Sequence, residues 1–216
     1  MAASLEVGYP TNLRRLYVAL VRHMFFVNRA PICAESIPLT IPSDAPRPLR
    51  AYKAAVYSYA ERLSAQLGVS PGDPMDNVVA RLGGKIVFRN PTSWDAGPPE
   101  SMVVHAQNDF TIFLPSVTSL ARDRFTIAHE LGHLFLHYPQ HSSSKPGIPM
   151  RATRWVDETD SEQQRAEWEA NWFAAAFLMP TTLFREAWKN NVMLAASRFG
   201  VSSKAAEIRA KDLRLL

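Results

Sequence analysis

The stretch that decides how this chain is read is FTIAHELGHLFLH, from Phe125 to His137. Its apolar members Ile127, Ala128, Leu131, Leu134, Phe135 and Leu136 fall in a helical pattern, which predicts a helix with a buried, strongly apolar body. Inside it lies H-E-x-x-H, at His129, Glu130 and His133. Two histidines at i and i+4 on a helix face the same way one turn apart, so their imidazoles can converge on one Zn²⁺. Glu130 sits beside the first histidine on a neighbouring face, where its carboxylate can hold and deprotonate a water without being a ligand. The bland alternative is an amphipathic helix with two exposed histidines. The apolar surroundings argue against it: two unpartnered buried imidazoles are costly, and a metal removes that cost.

A catalytic zinc takes three protein ligands and leaves one position open. His137 is another i+4 step, but on a regular helix rising about 1.5 Å per residue it lies roughly 12 Å from His129 along the axis, too far to share an ion. The metzincin spacing also fails, since Leu136 stands where that pattern has its glycine and Pro139 where it has its third histidine. The third ligand must come from another element. Asp160 reads as an N-cap, with Gln163 three residues on, opening a helix that runs to about Met179 before Pro180. Its segment EWEANWFAAAFLMP, residues 167–180, sets Glu167, Ala170, Asn171, Ala174, Ala175 and Leu178 on one face. The small alanines allow a close approach to the metal helix with Glu167 aimed at the ion. Glu169, roughly 200° round the helix, is the rival ligand, and a solvated face is the ordinary place for either glutamate. Glu167 is favoured. Asn171 can hydrogen-bond the second ring nitrogen of a ligating histidine, and His137 is the other candidate for such support. His137, Tyr138 and His141 lie near the end of the helix, where an oxyanion stabiliser or a purely structural group is equally compatible with the sequence. Zn²⁺ is the expected ion, with Mn²⁺ as the alternative.

Working outward, three strand-like runs precede the metal helix: Lys85–Arg89, Met102–His105 and Phe110–Leu114, the last two joined by a turn at Asn108-Asp109. Before them come a helix over Leu49–Leu67, with Val56, Ala60, Leu63 and Leu67 on one stripe, and a shorter one over Met75–Leu82 stopped by Gly83-Gly84. A connector from Pro31 to Pro48 holds prolines at 31, 38, 42, 46 and 48 and cannot form a regular element. Upstream of it, Leu13, Leu16, Tyr17, Leu20, Val21 and Met24 fit an amphipathic helix. After the metal helix, Tyr138 to Asp157 reads as one long loop, a length usually functional or mobile. Helices over Thr182–Asn190, Met193–Phe199 and Ser203–Leu213 close the chain. The order predicts an α+β fold, a small three-stranded sheet packed on a helical metal-binding core with extra helices at both ends. Three parts are expected: an N-terminal helical extension over 1–70, the metal-binding domain over 71–190, and a helix-turn-helix-like pair over 191–216.

The 216 residues are 47% hydrophobic and 20% charged, the balance of a globular domain and not of a disordered chain. Cys33 is the only cysteine, which excludes an internal disulfide and a cysteine-rich metal site. The net charge of +4 is spread along the sequence, so it reads as a solvated basic surface before it reads as a nucleic-acid footprint. The apolar runs Leu16–Val21 and Met24–Val27, split by Arg22 and His23, are too short for a signal-peptide core or a membrane span. A cytoplasmic protein without a membrane partner is expected.

RFTIAHELGHLFLH at 124–137, followed by E-x-E-A-N-x-F-A-A-x-x-L-M-P at 167–180, resembles the ImmA/IrrE family of zinc metallopeptidases. The strands leading into the metal helix and the tail FGVSSKAAEIR at 199–209 are similar too, so the likeness spans roughly residues 75–216. It implies a thermolysin-like, zincin-type core, with His129, His133 and Glu167 as ligands and Glu130 as base. It further implies hydrolysis of a peptide bond in a specific protein partner, a helix-turn-helix transcriptional repressor, often encoded alongside. The first seventy residues match nothing in that family. The rival function is a non-proteolytic regulatory protein, binding DNA or a partner as a toxin–antitoxin or stress-response component, with zinc as structure or signal. DNA contact is not favoured, because the tail reads as readily as a helical pair packed on the core.

Overall fold

Alternation along the strands sets the sheet at the centre of the fold. In the computed structural model, residues 45–89, 100–153 and 159–216 are described, and they fall in one compact unit, Ile41–Leu216. The helix expected over Leu13–Met24 and the connector up to residue 44 lie outside the described residues. Strands β1 (Gly84–Arg89), β2 (Glu100–Ala106) and β3 (Asp109–Pro115) form as the sequence predicts. In β3, Phe110, Ile112 and Leu114 face the core while their neighbours stay partly exposed, the period of two of a half-buried strand. The sheet has four strands, not three. The fourth, β4 (Met150–Thr153), pairs antiparallel with β2 inside the segment expected to be loop. The order is β1-β3-β2-β4, with β1 parallel to β3 and the other pairs antiparallel. It is a mixed sheet, and the fold is α+β.

Two glycines set how closely β1 meets the β2–β3 hairpin. Gly83 has a φ of 85°, and a Cβ there would run into the carbonyl oxygen of Asn108 in the hairpin turn; one on Gly84 would overlap the Phe110 ring. They therefore do more than end the preceding helix: they let two backbones pass where any side chain would block.

Helix α1 (Lys53–Gln66) starts later than Leu49 because Arg50 takes a left-handed φ of 57° and Tyr52, the N-cap, is extended. It buries Val56, Ala60 and Leu63 and packs along the later helix that carries Glu167. Helix α2 (Met75–Arg81) follows. Helix α3 (Leu120–Gly132) is capped by the Ser119 side chain and packs against β3. At His133 the backbone changes: His133–His137 is a π-helical turn, closed by the Tyr138 N–H donating to the His133 carbonyl. Helix α4 (Tyr138–Ser144) continues from it, again where a loop was expected. Its low apolar content hid it. Pro139 is tolerated in the first turn, and Ser142, Ser143 and Ser144 donate back to carbonyls one turn earlier.

Helix α5 (Ser161–Leu178) begins at Asp160, whose side chain accepts from the Glu162 and Gln163 N–H groups. Then come α6 (Thr181–Ala187), α7 (Val192–Phe199) and α8 (Ser203–Asp212). Ala195, Phe199, Val201, Ala206 and Ala210 of the last pair are buried in the core. Arg209 is buried with them, donating to the Met179 carbonyl at 2.9 Å, Glu61 at 2.8 Å and Thr181 at 3.1 Å.

Candidate metal centre

The site lies where α3 crosses α5. The crossing is close because Gly132 faces Ala170: a Cβ on Gly132 would lie 3.0 Å from the Ala170 Cα and 3.1 Å from its carbonyl oxygen. Ala170 and Ala174 are fully buried, so the small residues of α5 act as the sequence suggests. This closeness brings Glu167 over the histidines.

Three donors meet there. His129 Nε2 lies 3.1 Å from His133 Nε2, and Glu167 places its two carboxylate oxygens 3.0 Å from the first and 3.3 Å from the second. Among the described residues, His129, His133 and Glu167 form a group able to hold a metal ion. The donor set passes a simple test of fit. A tetrahedral zinc bonded at about 2.0–2.1 Å spaces its ligands roughly 3.3 Å apart, close to the separations seen.

The far side of each imidazole is held. Asn171 Oδ1 lies 3.0 Å from His129 Nδ1; with the amide oxygen accepting, that nitrogen carries the proton and Nε2 presents its lone pair to the centre. His133 Nδ1 lies 3.0 Å from His137 Nδ1, and His137 Nε2 lies 3.2 Å from Glu169 Oε2. His137 is thus outside the donor group but joined to it. Tyr138 and His141 do not face the donors: Tyr138 donates to the His105 carbonyl at 2.9 Å, and His141 Nε2 meets the Ile148 carbonyl at 2.8 Å.

Electrostatics favours ligation at Glu167 and His133 and opposes it at His129, which must give up a proton to an ion. Burial would raise the Glu167 carboxyl, but hydrogen bonds from His129 and His133 outweigh it and hold the group well below the usual carboxylate range. Burial pushes the His133 imidazole down to about 4, against the pull of Glu167. At His129 burial acts the same way but loses to Glu167, Glu130 and Asn171, so this imidazole is raised. An anionic glutamate beside a neutral His133 is the protonation state that ligation requires. Glu130 is only 3% exposed, and its charge acts on His129.

Glu169, the rival ligand, lies outside the donor group and off the solvated face where a glutamate ordinarily sits. Its side chain is fully buried, accepting from Arg165 Nε at 3.1 Å and from the Leu49 N–H at 2.7 Å as well as meeting His137. Burial raises its pKa, but the hydrogen bonds from His137 and Leu49, with Arg165, bring it below the ordinary value. Sequence reasoning weighed Glu169 only as a ligand. The available signal was Arg165 one turn before it, an i, i+4 partner for a buried carboxylate.

The chain thus sets a two-helix His-His-Glu cluster able to hold a metal beside a buried glutamate in a mixed α+β fold. The chain belongs to the ImmA/IrrE family: the family model of the IrrE N-terminal-like domain matches residues 86–211. No curated protein matches the sequence. Among solved structures, a Mycobacterium tuberculosis transcriptional regulator is similar at 21% identity and a TM-score of 0.47, over 71% of this chain. The chain spans 45% of that protein's length. No helix among the described residues is long and apolar enough to cross a membrane.

Proposed function

We propose that this chain is a zinc-dependent metallopeptidase with a zincin-like core, hydrolysing a peptide bond in a specific protein partner, a helix-turn-helix transcriptional repressor. The observation that carries the reading is the convergence of His129, His133 and Glu167 beside the buried Glu130. Zinc, when bound, supplies Lewis-acid polarisation of the scissile carbonyl and makes water acidic enough to ionise near neutrality. His129, His133 and Glu167 hold it, with Asn171 fixing the first ring. Glu130 accepts a proton from the attacking water as the new C–O bond forms, then delivers it to the amine nitrogen as the C–N bond breaks. Low exposure around Glu130 keeps competing solvent away and strengthens that exchange.

Family membership supports a regulator as the substrate, and the proposal is tested directly. The protein and its Glu130→Gln variant are incubated with the helix-turn-helix product of the neighbouring gene, and zinc content is measured on both. Cleavage by the first and not the second, with about one zinc in each, is the expected result. Equal cleavage by Glu130→Gln would refute the base, and absence of stoichiometric metal would refute the site. Direct DNA binding by the α7–α8 pair has less support: one face is core, and Lys204 and Lys211 on the other are both paired with Glu207.

A further inference from the structure

We infer that Glu169 is a positioning residue, which acts through His137 to fix the tautomer and orientation of His133. The inference rests on His133 being a metal ligand, as proposed above. A carboxylate only accepts hydrogen bonds, so the contact between Glu169 Oε2 and His137 Nε2 puts a proton on that nitrogen. A neutral His137 then offers the lone pair of Nδ1, and His133 Nδ1 must donate to it across 3.0 Å. With a metal on His133 Nε2, the atom facing His129 and Glu167, that nitrogen is bare and one proton per ring is consistent along the row; without a metal the Glu167 carboxylate, 3.3 Å away, competes for a proton on the same atom. The direction of the whole row is set at its buried end.

Three further features fit this role better than a role in packing. Both side chains, His137 and Glu169, are fully buried, a setting in which a carboxylate costs more than an apolar residue of the same size unless its hydrogen bonds are met. The π-helical turn over His133–His137 departs from α-geometry just where the two rings must meet. Glu169 is itself held from outside α5: the Leu49 N–H donates to it, and Arg165, its other donor, reaches the Ala51 carbonyl at 2.7 Å. The extended residues before α1 thus form the outer end of the same chain of hydrogen bonds.

The test reads ring protonation and metal affinity separately. Nitrogen-15 NMR of the histidines in the zinc-loaded protein is expected to show His133 protonated on Nδ1 and His137 on Nε2. His137 protonated on Nδ1 instead would overturn the inference without any variant being made. In Glu169→Gln the amide can turn its NH₂ to His137 and reverse the row. Zinc affinity, measured by chelator competition, is then expected to fall about 10–100-fold, with partial recovery in Glu169→Asp. A folded Glu169→Gln with unchanged tautomers and unchanged affinity would also overturn it, and a change in melting temperature alone would mark a merely structural role. Failure of the unmodified protein to bind zinc would instead count against the proposed function.

Discussion

Gly132→Ala tests the closeness of the α3–α5 crossing on which the site depends. In an open helical position this change stabilises by about 1 kcal/mol, because alanine is the better helix former. Here the new methyl would lie 3.0 Å from the Ala170 Cα, 3.1 Å from its carbonyl oxygen and 3.3 Å from the Phe173 Cβ. Ordinary carbon contacts lie at about 3.5–4.0 Å, so roughly half an ångström must be found, and backbone atoms cannot swing aside. Overpacking of this kind costs about 1–3 kcal/mol. The balance is a net loss of about 1 kcal/mol, or roughly 3 °C in melting temperature for a domain of this size, against a rise of about the same amount at an open site. The sign decides the matter. Because Gly132 precedes His133 and Ala170 lies one turn past Glu167, the same displacement separates the donors, and zinc affinity should drop several-fold in chelator competition. A variant that melts higher than the parent and binds zinc equally well would refute the close crossing.

Other outcomes follow from single contacts. Asn171→Ala removes the acceptor on His129 Nδ1 and should weaken zinc binding by about tenfold while leaving the circular dichroism spectrum unchanged. Gly84→Ala drives a methyl into the Phe110 ring between β1 and β3 and should destabilise by about 2–3 kcal/mol, read as a lower urea midpoint at constant m. Arg209→Leu strips a buried guanidinium from Glu61, Thr181 and the Met179 carbonyl, and chemical denaturation should show a loss of about 3 kcal/mol with zinc content unaffected.

Where each element gets its stability governs how much of the fold was readable in the chain. The strand β3 and the cap at Asp160 declare themselves because alternation and capping are local rules, written in adjacent residues. Strand β4 does not. It has four residues, of which only Met150 and Ala152 face inward, and it exists because β2 offers an edge to pair with. Helix α4 is concealed because its short sequence carries no apolar stripe: its buried members are Tyr138, Pro139 and His141, and its serines turn back on its own carbonyls. The late start of α1 is likewise non-local: Arg50 takes a left-handed φ of 57°, and the Leu49 N–H just before it is held by Glu169, a partner 120 residues away.

The site shows the same division more sharply. His129 and His133 can be placed from their spacing, and Glu167 from the face it shares with small residues, since both arguments need only regular α-geometry. His137 lies outside the donor group. As a further i+4 step it is still the next ring in a row, 5.0 Å from His133 between centroids, as His133 is 4.8 Å from His129, and the π-turn falls over this step. The row then meets α5 twice. Glu167 faces the two rings of the donor group and Glu169 the third, although two residues on a helix point to different flanks. So the E-x-E spacing, which looks like a choice between one ligand and one solvated residue, is used in full. One carboxylate stands with the donors and the other at the far end of the histidine row. The i+4 spacing of the three histidines announces the row; the π-turn over its last step and the burial of Glu169 at its end are what no local pattern records.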